Sequence, residues 1–251
     1  MTFAQQQYDI RCEWGLRGAE VLAPVCDAVV VVDVLSFTTA VSVAVARGGV
    51  VFPYRWKDDS RIAFAQEVGA VLAGPRGTGT YSLSPLSLRS VTSVERIVLP
   101  SPNGSTISLA TGNTPTYAGC LRNARAVALA AMKHGLRIGV IPCGERWADD
   151  ATLRPALEDL IGAGAVMAEL HGTRSPEAMA AVWAFKGAAA FLLETIGACA
   201  SGKELIERGH PEDVAIACDL DADAIAPRLV GGAYMAPHQS QAATPRLKPA
   251  C

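Results

Sequence analysis

Asp33 directly follows the apolar run Ala28–Val32. A carboxylate there would bring charge to the edge of a buried core. That position suits it to bind a cation, attack phosphorus or act as a base. The plainer reading makes it an entry residue of the helix that follows. Thr38 and Thr39 fall in the first turn of that helix, where hydroxyls either hydrogen-bond an anion or cap the helix. Arg76 lies in Gly74-Pro75-Arg76-Gly77. A guanidinium matches phosphate or sulfonate oxygens in a fork, although an arginine is also ordinary in a surface loop. Asn103-Gly104-Ser105-Thr106 joins an apolar run to a helical pattern. Gly104 allows close backbone approach and the next N–H groups point at an anion, or else the segment is a turn with a helix cap. Cys143-Gly144-Glu145 also ends an apolar run. Cys143 is either a nucleophile or a small filler. The filler reading is preferred because Arg146 lies too close to serve a cysteine-based phosphatase loop. Glu158 and Asp159 open an amphipathic helix. They complement its dipole, worth roughly 0.3–1 kcal/mol, or they supply ligands for Mg²⁺, which takes few carboxylates plus water and phosphate oxygens.

Other patterns fail on inspection. Residues 197–203 have the glycine and lysine spacing of a P-loop, but Glu204 stands where a Mg²⁺-binding hydroxyl is needed, and a helical pattern precedes them instead of a strand. Asp33-Val34-Leu35 lacks the second aspartate of a haloacid-dehalogenase-type phosphatase. The four histidines show no zinc spacing.

The elements that must position these residues alternate between strand and helix. Strands are expected at Ala28–Val32, Val50–Tyr54, 70–73, 96–99 and 137–141, with weaker candidates at 214–217 and 229–231. Helices are expected at 36–46, 58–68, 105–110, 123–134, 155–170 and 178–195, several of them stopped by glycine. This order argues an α/β fold, three-layered α/β/α, around a largely parallel or mixed sheet. Residues 1–235 read as one domain with room for two lobes, and 236–251, poor in apolar residues, as a disordered tail. Ligands in such folds sit outside the carboxyl ends of the strands, where the residues above fall.

With 251 residues, half of them hydrophobic, the chain can bury a sizeable core. A net charge of −2 gives no electrostatic footprint for nucleic acid. No uninterrupted apolar run reaches membrane-span length, and residues 1–8 lack a signal peptide's basic start and apolar centre. The seven cysteines are scattered and odd in number, which suits reduced thiols and a cytoplasmic location. A homo-oligomer is compatible with all of this.

Taken together and in order, the loops resemble the 2-phosphosulfolactate phosphatase family. Asp33-Val34-Leu35-Ser36-Phe37-Thr38-Thr39 resembles its Asp-Val-Leu-Arg-Ala-Ser/Thr-Thr segment, and Gly74-Pro75-Arg76-Gly77 its Gly-Glu-Arg-Gly loop. Ser84-Pro85, Ser101-Pro102-Asn103-Gly104-Ser105, Cys143-Gly144, Glu158-Asp159 and Asp213-Val214 match further family motifs. The resemblance implies an α/β/α Mg²⁺-dependent phosphatase acting on a small phosphate ester, (2R)-phospho-3-sulfolactate, to give 3-sulfolactate and phosphate. On that basis the expected mechanism gives catalytic roles to Asp33, Arg76 and Asn103, metal binding to Asp33 with Glu158 or Asp159, and substrate binding to Thr38, Thr39, Gly104, Ser105, Cys143 and Gly144. Water activated by the metal is the expected nucleophile, with attack by Asp33 itself as the second option. Ser36 stands where the family has arginine, Pro75 where it has glutamate, and the Gly-Asn before Ser84 is absent. A lost guanidinium removes one fork for an anionic group, so these differences bear on the substrate before the fold. The alternative is a diverged or non-catalytic member that binds a small anionic metabolite.

Overall fold

The computed structural model of the chain describes residues 2–56 and 58–237. In chain order these include β1 (Ile10–Cys12), α1 (Gly15–Leu22), β2 (Ala28–Val32), α2 (Phe37–Ala46), β3 (Val50–Tyr54), α3 (Ser60–Glu67), β4 (Val71–Leu72), β5 (Arg96–Pro100), α4 (Gly104–Ala110) and β6 (Thr116–Gly119). They continue with α5 (Ala124–Ala131), β7 (Ile138–Pro142), β8 (Glu145–Arg146), β9 (Leu153–Arg154), α6 (Leu157–Ala168), α7 (Pro176–Ala188), α8 (Leu192–Ala198), α9 (Ala200–Glu207), α10 (Pro211–Ala217), β10 (Arg228–Val230) and β11 (Ala233–Met235). Nine strands form one mixed sheet in the order β1-β7-β2-β6-β10-β11-β3-β5-β4, and β8–β9 is a separate hairpin.

The valine run of β2 is buried on both faces, as a strand between parallel neighbours must be. Ala28, Val30 and Val32 pack among residues of α5, α6 and α7, while Val29 and Val31 pack against Ala19, Ala23 and Ile107 on the other side. The far end of the sheet is covered the same way. Val51 faces α2, and Phe52 packs with Phe64 and Ala65 of α3. Helices therefore flank both faces, as expected.

Two parallel sets, β1-β7-β2-β6 and β3-β5-β4, are joined through the β10–β11 hairpin. All three joining contacts are antiparallel: β6 with β10, β10 with β11, and β11 with β3. An odd number of antiparallel steps reverses strand direction between the sets. In a flat sheet, the carboxyl ends of β2 and β5 would then lie on opposite edges. The loops beyond them nevertheless meet: Asn103 after β5 bonds Gly144 after β7. The hairpin's ladder pairs outward are Arg228↔Tyr117 and Tyr234↔Val51, and the Tyr234 hydroxyl also donates to Ser108 of α4.

Some expectations are corrected. Residues 214–217 belong to helix α10, not a strand: Pro211 opens it, Glu212 and Asp213 occupy its first turn, and Val214 and Ala217 bury one side. The expected helix 178–195 breaks at Ala189–Phe191 into α7 and α8. The run Pro176–Ala198 has the length and mean hydropathy (1.4) of a membrane span, a stretch the reading of uninterrupted apolar runs passed over. It contains Glu177, Lys186 and Glu194, and Ala181 and Val182 pack with residues of α6. A side chain at Gly164 of α6 would put Cβ 2.0 Å from the Ala181 carbonyl oxygen, so the two helix backbones approach closely there. Ala236, at the start of the expected tail, is buried in the core; residues 238–251 lie outside the described ones.

Candidate active site

Asp33 ends β2 with its carboxyl largely buried. Its Oδ1 accepts the Phe37 N–H at 3.0 Å, and the Gly104 N–H also bonds this carboxylate. The first turn of α2 and the start of α4 therefore converge on one acid. Gly104 is required for this approach: a Cβ there would lie 2.2 Å from the Phe37 ring and 2.8 Å from Asp33 Oδ2. Its N–H is directed to Asp33, not to an incoming anion as the sequence suggested. Thr38 and Thr39 are likewise turned to the backbone. The Thr38 hydroxyl donates to the Asp33 carbonyl and accepts the Asp33 N–H, and the Thr39 hydroxyl donates to the Val34 carbonyl. Both threonines are fully buried and brace the loop. Ser105 is also buried and its hydroxyl donates to the Leu99 carbonyl.

The loop after β7 is tied to the loop after β2 by Asp159. One oxygen accepts the Val34 N–H at 2.7 Å and the other the Gly144 N–H at 2.8 Å. Asp159 thus clamps two strand ends together. Its neighbour Glu158 is buried and accepts the Cys199 thiol at 3.3 Å. Burial, then the charges of Asp33, Asp159 and Glu145, push the Cys143 thiol well above its ordinary pKa. A thiol buried among negative charges is a poor source of the thiolate that a nucleophile needs. Asn103 is fully engaged: its amide N–H groups donate to the Gly144 carbonyl and to Glu145 Oε2 at 3.0 Å, and its oxygen accepts Arg146 Nε at 3.0 Å.

Arg76 is held from two sides. Its Nε donates to Asp213 Oδ2 at 3.2 Å, and Nη2 donates to the Ser36 hydroxyl at 2.8 Å. Asp213, buried in α10, also accepts the Ser84 hydroxyl and the Leu86 N–H. It fixes Arg76 and the loop beside it at once.

Asp33, Arg76 and Asn103 line one cavity of about 300 Å³, together with Ser36, Glu145, Arg146, Glu204 and Arg208. Glu158 and Asp159 stand behind this wall, and Cys143 faces an adjacent hollow. Sequence reasoning singled out neither Glu145, Arg146 nor Asp213 for a role. Glu145 and Arg146 sit on a two-residue strand too short to show a pattern, and Arg146 was set aside only as a partner for Cys143. Asp213 lay next to a run misread as a strand.

The cavity is acidic at its base. Burial pushes Asp33 up to about 6, with the charge of Glu158 adding to the effect. Burial pushes Glu145 up to about 7, assisted by Asp33 and Glu158. Asp159 is raised well above the carboxylate range by burial, then by Asp33 and Glu158. Clustered carboxylates in low dielectric call for a cation. Among the described residues no three His, Cys, Asp or Glu side chains form a ready-made metal cage. That donor chemistry fits Mg²⁺, which keeps several waters and needs only one or two carboxylates besides phosphate oxygens. Asp33 and Glu145 border the cavity and suit that task; Asp159, which is not part of the cavity wall, suits it less.

The chain matches a protein-family model described as 2-phosphosulpholactate phosphatase over residues 20–232, a span that holds every residue above. It is 33% identical over 150 residues to a protein of Carboxydothermus hydrogenoformans named "Probable 2-phosphosulfolactate phosphatase", covering 57% of this chain and 60% of that relative. The aligned part is thus less than two thirds of the relative's length. Since the family match runs from α1 to the β10–β11 hairpin and takes in all the strand-end loops, this chain belongs to the 2-phosphosulpholactate phosphatase family.

Proposed function

We propose that the protein hydrolyses a small acidic phosphomonoester; its relative is named for one such ester, phosphosulfolactate. One observation carries this reading: residues as distant as Asp33, Arg76, Asn103 and Arg208 line the same cavity, which offers carboxylates for a cation and guanidinium groups for an anion. Mg²⁺ held by Asp33 and Glu145 would neutralise charge on the phosphoryl oxygens. Arg76 and Arg146 supply forked donors for those oxygens. Asn103 fixes Glu145 and Arg146 relative to each other, and Asp213 with Ser36 fixes the plane of Arg76, so the donors are set before the ester arrives.

The test is phosphate release from small phosphomonoesters with and without Mg²⁺. Asp33→Asn is expected to lower kcat by about 100-fold or more, the scale of removing a preorganised electrostatic group. Wild-type rates in that variant would remove Asp33 from the centre of the reaction. A second reading, anion binding without turnover, draws on Ser36: a hydroxyl, and not a second guanidinium, faces Arg76 there. Binding of 3-sulfolactate without phosphate release from any ester would favour it.

A further inference from the structure

The cavity does not end at Arg76. A second hollow of about 330 Å³ adjoins it, lined by Arg61, Gly74, Pro75, Arg208 and His210 among others. Arg76, Leu83, Leu205 and Arg208 line both. The two spaces differ in charge. The first has Asp33, Glu145 and Glu204 in its wall besides its arginines. Among its described lining residues the second has Arg61, Arg76, Arg208 and His210 and no carboxylate. Two of these arginines are engaged, Arg76 by Asp213 and Ser36 and Arg208 by Glu204. Arg61 is not: its Nε is buried and has no hydrogen-bond partner among the described residues. A buried donor without an acceptor is costly and rare in native structures. The Nε itself is closed off, so an entering anion meets the remainder of the Arg61 side chain, which lines the hollow without an ion pair among the described residues. A divalent cation, drawn to the carboxylates of the first space, is repelled from the second.

We propose that this second hollow recognises an acidic group on the leaving-group arm of the substrate, and so rests on the phosphatase reading. The substrate is a phosphomonoester whose phosphate lies beside Asp33 and whose arm, longer than three carbons, passes Arg76 and ends in a carboxylate or sulfonate at Arg61. Size supports the longer arm. The first cavity alone is at the lower end of small-molecule pockets, which run about 300–1,000 Å³, and the second adds a comparable volume. A three-carbon acid would leave that volume, and Arg61, unused.

The experiment is a series of alkyl phosphates of increasing length that end either in a carboxylate or in a hydroxyl. The ratio of kcat/KM, acid over alcohol, is expected to rise once the arm exceeds three carbons. It should fall by about tenfold in Arg61→Met, the worth of one charge-assisted bond, and return in part in Arg61→Lys, which excludes misfolding as the cause. A ratio indifferent to Arg61→Met, or no greater for long arms than for three-carbon ones, overturns the proposal. If no ester is hydrolysed, the phosphatase reading fails separately. Calorimetric titration of the metal-free protein with the same acids then reads the hollow directly. Weaker binding of the long acids to Arg61→Met keeps it as an anion site, and equal affinity removes it.

Discussion

Asp213 shows how a residue outside the reaction can govern it. It is buried, touches Arg76, Ser84 and Leu86, and comes from a helix 137 residues along the chain from Arg76. Asp213→Asn keeps the shape and most acceptors but removes the charge. Steady-state kinetics on a small phosphomonoester should show KM raised by about tenfold, the scale of a charge-assisted bond, with a smaller change in kcat. Asp213→Ala should also destabilise the fold by about 3 kcal/mol, the lower end for breaking a buried pair because Arg76 is partly open to the cavity. Urea unfolding measures it. Asp33, Arg76 and Asn103 were legible in the sequence because each stands just beyond an apolar run. What each one does was less legible. The hydroxyls of Thr38 and Thr39 and the N–H of Gly104 looked like anion donors, yet they serve the loop and Asp33. Spacing cannot tell a donor aimed at a ligand from one aimed at the next turn.

The elements easiest to read were those with one dominant pattern. The valines of β2 and the run that forms β3 matched their expected bounds, and α2 began one residue late. Strands β1, β6 and β11 passed unread because three or four residues carry too little periodicity, and their places are set by pairing with distant strands. Helix α6 was foreseen, but its tightest constraint was not. Gly164 touches the Ala181 carbonyl, a contact that exists only once α7 is packed on it. Gly164→Ala should cost about 1–3 kcal/mol or more, as overpacking does, despite alanine's better helix propensity. A fall in the denaturant midpoint checks this; a neutral or stabilising result would mean that the helices part freely.

For the whole molecule, the cluster of Asp33, Glu145 and Asp159 makes stability depend on pH. Their folded pKa values are raised, so the folded protein holds more protons than the unfolded chain. The stabilising contribution is complete below the ordinary carboxylate range, roughly pH 4, and is lost as pH climbs through about 6 for Asp33 and about 7 for Glu145. Metal-free protein should therefore melt at a higher temperature at pH 5.5 than at pH 8, and saturating Mg²⁺ should flatten or reverse that difference. Calorimetric scans across this range decide it. The β10–β11 hairpin has a different consequence, for biosynthesis. It holds the last two described strands in chain order, yet it sits in the middle of the sheet. Until the hairpin is made, the two parallel sets expose β6 and β3 as open edges. A nascent chain halted shortly before the hairpin would carry two unguarded strand edges suited to capture by a chaperone or by another copy of itself.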